Sequence, residues 1–297
     1  MIDKIKTLKK EMNAVILGHN YQLPEIQDIS DYTGDSLELS KIAAKTDADV
    51  VVFCGVYFMA ETAKILSPNK TVLIPDKNAG CPMADMINAK QLKEFKTEHP
   101  NIPVVAYVNT SAEVKAEVDI CCTSANAVNV VRNIQSDIVL FVPDKSLGSY
   151  VQTMVPGKKL ICWQGFCPTH HRILAVDVVK AKQEHPDALV VAHPECNYDV
   201  IKLADIVDST SGMIREISNS IAKEFIICTE RGLIHQFIKA NPDKIFYNPS
   251  PLNICPNMKK ITMEKLLWCL EDKAYEVNLS NEIIEKSQKA MQGMILN

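Results

Sequence analysis

Three cysteines of this chain are each followed by proline, and their spacing suggests that they contribute to one site. Cys81, Cys167 and Cys255 lie in GCPMA, FCPTH and ICPNM, 86 and 88 residues apart in a chain of 297 residues. A near-constant period of this size is typical of an internal repeat. The sequence therefore predicts that three repeats each supply one thiolate to a common site.

One thiolate per repeat favours an iron–sulfur cluster over zinc. Tetrahedral zinc sites usually include a local C-x-x-C pair, which this sequence lacks. Three thiolates around a threefold axis suit a cubane 4Fe-4S cluster, in which the fourth iron stays open as a Lewis acid.

Other uses of the cysteines stay open on spacing alone. Cys162 and Cys167 have the C-x4-C spacing of some ferredoxins, and the adjacent Cys121 and Cys122 suggest a redox pair. We favour neither, because Cys162 ends an apolar strand and adjacent side chains on a strand point to opposite faces. Cysteines that act only as small core hydrophobes are the main remaining explanation. We assign that role to Cys54, Cys162, Cys228 and Cys269.

Polar residues recur before each Cys-Pro step. Three of them end short β-branched runs, 62, 58 and 62 residues before the next Cys-Pro: His19, Asn109 and His193. Three serines follow these strand ends by 15 to 17 positions, in segments typical of anion-binding helix N-termini: Ser36, Ser124 and Ser209. Each residue alone would be explained as a simple cap. Their recurrence favours a shared site.

Strand and helix alternate three times along the chain, which indicates α/β units built on parallel sheets. We predict three similar small parallel-sheet α/β domains about a pseudo-threefold axis. Ligands gather at the carboxyl ends of strands in such sheets, so the active site is expected at the junction of the three. The predicted boundaries are 1–84, 85–170 and 171–258, followed by a C-terminal packing segment with helices at 259–297.

The composition excludes a nucleic-acid or membrane surface. The net charge is -4 at pH 7, with 47% hydrophobic and 23% charged residues, and no basic stripe is evident. The longest apolar run, VVVFCGVYFMA at 50–60, is shorter than the roughly 20 residues that a transmembrane helix needs. The N-terminus spreads lysines among apolar residues at helical spacing, unlike a signal peptide. We therefore expect a cytoplasmic protein.

Taken together, the motifs resemble those of the quinolinate synthase family over nearly the whole chain. They are HNYQ, GDSLELS, FMAETAKIL, CPMA, YVNTSAEVKA, CTSANAV, FVPDKSLG, CPTH, HPEC, STSGM, TERG and CPNMK. The resemblance implies a transferase of NAD biosynthesis that condenses iminoaspartate with dihydroxyacetone phosphate to give quinolinate, phosphate and water. It also implies one 4Fe-4S cluster per chain on three cysteines, with functional coupling to L-aspartate oxidase or aspartate dehydrogenase.

The resemblance further implies roles for individual residues. The three Cys-Pro cysteines are the expected ligands, and the expected catalytic groups are Tyr21, Glu195 and His170. Substrate carboxylates and phosphate are expected to meet His19, Ser36, Tyr107, Asn109, Ser124, His193, Ser209 and Thr210. The adjacent His171 is an alternative to His170, and Cys196 is predicted not to be a ligand. Only Cys269 follows Cys255, so the regulatory C-x-x-C of some family members is missing.

Two other functions remain as alternatives. Another 4Fe-4S dehydratase of a small carboxylate would use the same cluster without requiring dihydroxyacetone phosphate. A non-catalytic iron–sulfur carrier would need no converging polar groups, so the polar residues expected at the site argue against it: Tyr21, Tyr107, His193 and Glu195.

Overall fold

The computed structural model describes residues 1–296, and for the last two of these it describes only the backbone. The strands are β1 Ala14–His19, β2 Tyr32–Gly34, β3 Val50–Cys54, β4 Thr71–Leu73, β5 Val104–Tyr107, β6 Ile120–Cys122, β7 Ile138–Val142, β8 Lys159–Cys162, β9 Leu189–Ala192, β10 Ile206–Val207, β11 Glu224–Cys228 and β12 Ile245–Tyr247. The helices are α1 Ile2–Glu11, α2 Pro24–Ile29, α3 Ser36–Lys45, α4 Tyr57–Leu66, α5 Ala89–Glu98, α6 Ala112–Lys115, α7 Ala127–Asn133, α8 Lys145–Met154, α9 Pro168–His171, α10 Ala175–Glu184, α11 Tyr198–Ile201, α12 Thr210–Asn219, α13 Ile234–Ala240, α14 Met263–Asp272 and α15 Asn281–Leu296. Short 3-10 turns lie at Ala84–Met86, Arg231–Leu233 and Met258–Lys260.

Within residues 1–296 the strands form three four-stranded sheets in which every neighbouring pair is parallel. The strand orders are β2-β1-β3-β4, β6-β5-β7-β8 and β10-β9-β11-β12, which is one topology used three times. The central strands are apolar and β-branched because helices cover both of their faces; in β3, VVVFC, all residues are buried. The predicted fold class, three similar small parallel-sheet α/β domains, is confirmed.

The strand register shows which residues of the three units are equivalent. Gly18, Ala106 and Ala192 each pair with the last residue of a five-residue strand, namely Cys54, Val142 and Cys228. The next residues along the chain are therefore the true equivalents of one another: His19, Tyr107 and His193. The alignment predicted from sequence was wrong by two positions in the second unit, because it matched Asn109 instead of Tyr107.

The same register corrects the third serine. Gly34 pairs with His19 and Cys122 pairs with Tyr107, so the residues two positions further on, Ser36 and Ser124, are equivalent. In the third unit Val207 pairs with Ala192, which makes Thr210 rather than Ser209 the equivalent residue.

Two polar contacts recur in all three units and fix the strands. In each unit, an aspartate directly before the second strand accepts a hydrogen bond from the backbone N–H of a residue 15 positions earlier, at 2.7 to 2.8 Å. These pairs are Asp31 with Ile16, Asp119 with Val104 and Asp205 with Val190. A lysine before the fourth strand donates to carbonyls at the end of the helix that follows the second strand; these lysines are Lys70, Lys158 and Lys244. Such contacts satisfy carbonyls that a helix end leaves unpaired.

The C-terminal helix α15 connects two of the units. Asn126 donates to the Met294 carbonyl at 2.9 Å, and Ser287 donates to the Ala112 carbonyl at 3.1 Å, both in the second unit. Gln288 donates to the carbonyl of Ile65, in the first unit, at 2.7 Å. We therefore propose that the boundaries at 84, 170 and 258 separate three units that the last segment holds together. Among the described residues, no helix is long and apolar enough to cross a membrane.

Candidate functional site

A cavity of about 320 Å³ lies where the three units meet. Every site residue predicted above lines it except Ser209. Ser209 instead caps α12, where its hydroxyl accepts the Gly212 N–H at 3.2 Å, and it positions its neighbour Thr210 at the cavity wall. The parallel topology explains this convergence, because the strands of all three sheets direct their carboxyl ends toward the junction.

The three Cys-Pro cysteines share one local conformation. Each begins a single helical turn, in which its carbonyl accepts the N–H of the residue four positions on: Asp85, His171 and Lys259. The backbone N–H three positions on hydrogen-bonds to each cysteine sulfur, from Ala84, His170 and Met258. Proline suits this first helical position, since its missing N–H would have no partner there.

Burial sets the chemistry of the three thiols. It raises the pKa of Cys81 to about 12 and raises the pKa of Cys167 and Cys255, while the N–H groups lower it in part. Without a cation the sulfurs therefore keep their protons. A bound metal reverses this preference, since a coordinating thiol loses its proton outright.

The three Cys-Pro thiols all line the cavity. Burial and the charge of Glu195 raise the pKa of Cys167, and the thiols of Cys81 and Cys255 raise it further, so the three sulfurs lie within electrostatic reach of one another. In a cubane each thiolate binds a different iron. The donor set, three sulfurs with N–H groups directed at them, suits that cluster.

A closer group of potential ligands also lies in the cavity. Cys167, His170 and Glu195 have ligand atoms within 4.8 Å of one another. The histidine and the glutamate contact each other and neighbouring hydroxyls, so they form a hydrogen-bonded network beside Cys167.

The two strand-end histidines are neutral hydrogen-bond donors. In both, Nδ1 accepts the backbone N–H of the residue two positions on, Tyr21 to His19 at 3.1 Å and Glu195 to His193 at 3.3 Å. The remaining proton therefore sits on Nε2. Burial lowers the pKa of each histidine to about 3, so neither is charged at neutral pH.

Glu195 is a buried carboxylate held by two side chains. Burial by itself would raise its pKa, but the contact with His170 lowers it below the usual range. Its Oε2 lies 2.8 Å from His170 Nδ1, and its Oε1 accepts the Tyr107 hydroxyl at 2.5 Å. Burial and the charge of Glu195 raise the pKa of Tyr107, which therefore stays a donor. Glu195 is thus ionised in the folded protein and is buried beside its two hydrogen-bond partners.

A hydrogen-bond chain leads from Glu195 to Tyr21. His170 Nε2 lies 2.8 Å from Thr229 Oγ1, which lies 2.6 Å from the Tyr21 hydroxyl. Thr229 is fully buried and follows β11 directly. No role is predicted for Thr229 from the sequence, although it begins the TERG motif.

The orientation of the two adjacent histidines is clear. His170 is buried, lines the cavity and joins this chain, with Nδ1 3.2 Å from Cys167 Sγ. His171 is exposed, with its ring centroid 4.7 Å from that of Phe166. His170 is therefore the one that faces the ligands.

An ion pair fixes the loop of the third cysteine. Glu230 is fully buried; its Oε1 accepts the Cys255 N–H at 3.1 Å and lies 3.0 Å from Lys259 Nζ. Lys259 also donates to the Tyr21 carbonyl. One charged pair thus ties the third Cys-Pro loop to the first unit.

The remaining polar groups suit an anionic ligand. Ser36 and Thr210 stand at the N-termini of the ten-residue helices α3 and α12, and Ser124 lies in the turn before α7. Among the described residues, the side-chain oxygen of Asn109 is buried in the cavity wall without a hydrogen-bond partner. A bound ligand would supply that partner.

Cys196 stands apart from the cavity in spite of its neighbour Glu195. It is fully buried, its thiol donates to the Cys228 carbonyl at 3.2 Å, and it is not among the lining residues.

Comparison with known proteins shows similarity over almost the whole chain. The family model described as quinolinate synthetase A protein matches residues 3–296. A quinolinate synthase of Alkaliphilus metalliredigens is 57% identical over 295 residues, which cover 99% of this chain and 97% of that protein. Proteins with similar names from Thermodesulfovibrio yellowstonii and Methanosarcina acetivorans are 52% and 53% identical over 294 and 295 residues, with the same coverage.

Proposed function

The chain belongs to the quinolinate synthetase A family, and from that premise we propose that it condenses iminoaspartate with dihydroxyacetone phosphate to give quinolinate, phosphate and water. The observation that carries the proposal is the convergence of one Cys-Pro sulfur from each unit on a cavity that also holds the chain from Glu195 to Tyr21. A pure carrier of a cluster would have no use for such a chain.

We infer that Cys81, Cys167 and Cys255 hold one 4Fe-4S cluster. The N–H groups directed at their sulfurs would stabilise the thiolates. When bound, the cluster would supply an open iron that acts as a Lewis acid on a hydroxyl or carbonyl of the substrate.

Proton transfer is assigned to the side chains of the network. Carbon–carbon bond formation, isomerisation and dehydration each require a group that accepts a proton and one that returns it. Glu195 is the acceptor in this proposal, because it is ionised. His170 and Thr229 connect it to Tyr21, whose hydroxyl keeps its proton since burial raises its pKa.

Binding is assigned to the neutral donors and the helix N-termini. The Nε2–H groups of His19 and His193 would donate to substrate oxygens without adding charge. The hydroxyls of Ser36, Ser124 and Thr210, together with Asn109, would bind phosphate and carboxylate groups. Coupling to an aspartate-oxidising partner and the cytoplasmic location stay predictions from the sequence.

The test is made on protein purified under strictly anaerobic conditions. We expect about four irons and four sulfides per chain, and quinolinate formation when iminoaspartate and dihydroxyacetone phosphate are both supplied. Product formed without dihydroxyacetone phosphate would indicate a different dehydratase. A full cluster with no turnover of either substrate would indicate a carrier, and absence of cluster after reconstitution would overturn the proposal.

A further inference from the structure

One cavity residue has a role that neither the motifs nor the proton network explains. Arg172 is the only lysine or arginine among the residues that line the cavity in the described part of the chain. It is exposed, and its guanidinium makes no hydrogen bond or ion pair with any described residue. A cation at the edge of a largely buried cavity is therefore free to meet a ligand.

The local structure fixes where Arg172 stands. It is the residue directly after α9, the short helix that begins at the Cys167-Pro168 step, and its N–H donates to the His170 carbonyl. His170 lies on the buried side of this turn, whereas Arg172 is on the open side. The turn that presents a ligand cysteine thus also presents a guanidinium at the mouth of the same cavity.

The other basic side chains near the cavity are neutral or already have partners. His170 lies against Glu195 at 2.8 Å, and Lys259 lies 3.0 Å from Glu230. His19 and His193 are neutral, because burial lowers the pKa of each to about 3. Among the described residues that line the cavity, only Arg172 offers an unpaired full positive charge to an incoming anion.

An anion that enters this cavity needs such a charge. Glu195 is a buried carboxylate, and the helix N-termini at Ser36 and Thr210 offer only partial positive charges. A ligand with two negative charges loses its hydration on entry, which is costly unless a cation accompanies it. Guanidinium suits this task, since its planar N–H pairs match carboxylate and phosphate oxygens.

We propose that Arg172 binds a doubly charged anionic group of the incoming substrate at the mouth of the cavity, and so determines the affinity for that substrate. The proposal rests on the proposed function for the identity of the two candidates, the phosphate of dihydroxyacetone phosphate and the paired carboxylates of iminoaspartate. The shared chemistry is a small dianion, and the experiment separates the two sources.

Binding is measured first, by calorimetry on the anaerobically purified enzyme, with inorganic phosphate and L-malate as unreactive probes. Arg172→Gln should weaken binding of at least one probe about fivefold to tenfold. Wild-type binding should weaken with added salt, because the contact is exposed, and the variant should show a flatter dependence. Arg172→Lys should retain the salt dependence. Arg132→Gln removes an equal charge from α7, away from the cavity, and should bind both probes as the wild type does.

Turnover then identifies the substrate. Arg172→Gln should raise KM for the substrate it contacts by a similar factor, with kcat within about twofold, since the contact is made before the reaction. Unchanged affinity for both probes, or a fall in kcat alone, would overturn the proposal. If the wild type makes no quinolinate, the proposed function fails, yet the calorimetry still decides whether Arg172 binds anions.

Discussion

Nδ1 of His170 lies 2.8 Å from Oε2 of Glu195, and the two side chains are 1% and 5% exposed. They come from different units, His170 from α9 and Glu195 from the loop after β9. A carboxylate at this depth stays ionised only when a partner and hydrogen bonds offset the loss of water. The charge at the centre of the cavity therefore depends on how two units pack against each other.

Removal of that charge is expected to stop proton uptake. Glu195→Gln keeps the size of the side chain and leaves the three cysteines untouched, so iron and sulfide content should stay at the wild-type level. We expect kcat to fall by about 10²- to 10⁴-fold, the usual contribution of a positioned acid or base. Glu184→Gln, an exposed change on α10, is the matched control. Wild-type turnover in Glu195→Gln would remove Glu195 from the reaction.

Thr229 should matter because it joins two parts of the network. Thr229→Val has nearly the same shape but leaves His170 Nε2 and the Tyr21 hydroxyl without their bridging oxygen. We expect kcat to fall at least about tenfold with the cluster intact. Thr229→Ser restores the hydroxyl and should keep most of the turnover. If valine and serine variants are equally active, the hydrogen-bond chain has no part in catalysis.

The ligand set can be tested by single substitutions of cysteines. Cys255→Ser should lose both the cluster and the activity, as measured by iron analysis and quinolinate formation. Cys54→Ala, Cys196→Ala and Cys269→Ala should keep both, because these thiols are buried in apolar surroundings away from the cavity. Loss of the cluster in any of the three alanine variants would refute the ligand choice.

The buried histidines predict how stability depends on pH. The pKa of His19 and His193 is about 3 in the folded protein, against 6.5 for an ordinary histidine. Between these pH values the unfolded chain binds more protons, so the free energy of unfolding decreases as pH falls below 6.5. Each histidine should contribute a slope of about 1 kcal/mol per pH unit between pH 7 and pH 5, approaching about 1.4 kcal/mol per pH unit further below 6.5.

Urea unfolding of metal-free protein between pH 7 and pH 5 measures this slope. In His19→Asn the amide oxygen can replace Nδ1 as acceptor without titrating. The dependence of the free energy of unfolding on pH should therefore lose the contribution of one histidine. His99→Asn changes an exposed histidine and should leave the slope unchanged. Equal slopes in His19→Asn and the wild type would show that His19 does not stay neutral in the folded state.

The repeat could be predicted from the sequence because similar parallel α/β units carry residues of the same type at nearly the same distance along the chain. The Cys-Pro period and the strand ends were enough to predict one topology used three times and a cavity at the carboxyl ends. The errors of alignment arose where a residue type changed between units. The predicted alignment placed Asn109 where the register places Tyr107, and Ser209 where it places Thr210, although the resemblance assigned both Tyr107 and Thr210 to the substrate.

The network inside the cavity was not readable in this way. Thr229, Glu230 and Lys259 act through contacts between units, and neither spacing nor periodicity records which side chains meet across a junction. The choice between His170 and His171 likewise depends on the direction of one helical turn. Arg172 was not predicted from the sequence, because only the structure shows that its guanidinium has no hydrogen-bond or ion-pair partner among the described residues.

The last of the three sulfurs belongs to residue 255, after the final strand of the third sheet. During synthesis the site is therefore incomplete until the third unit has been made. A chain that stops after the second unit has two of the thiols and no wall on its third side. If the proposed cluster binds here, its insertion must follow synthesis of the third unit, and bound metal would then report that all three units have assembled.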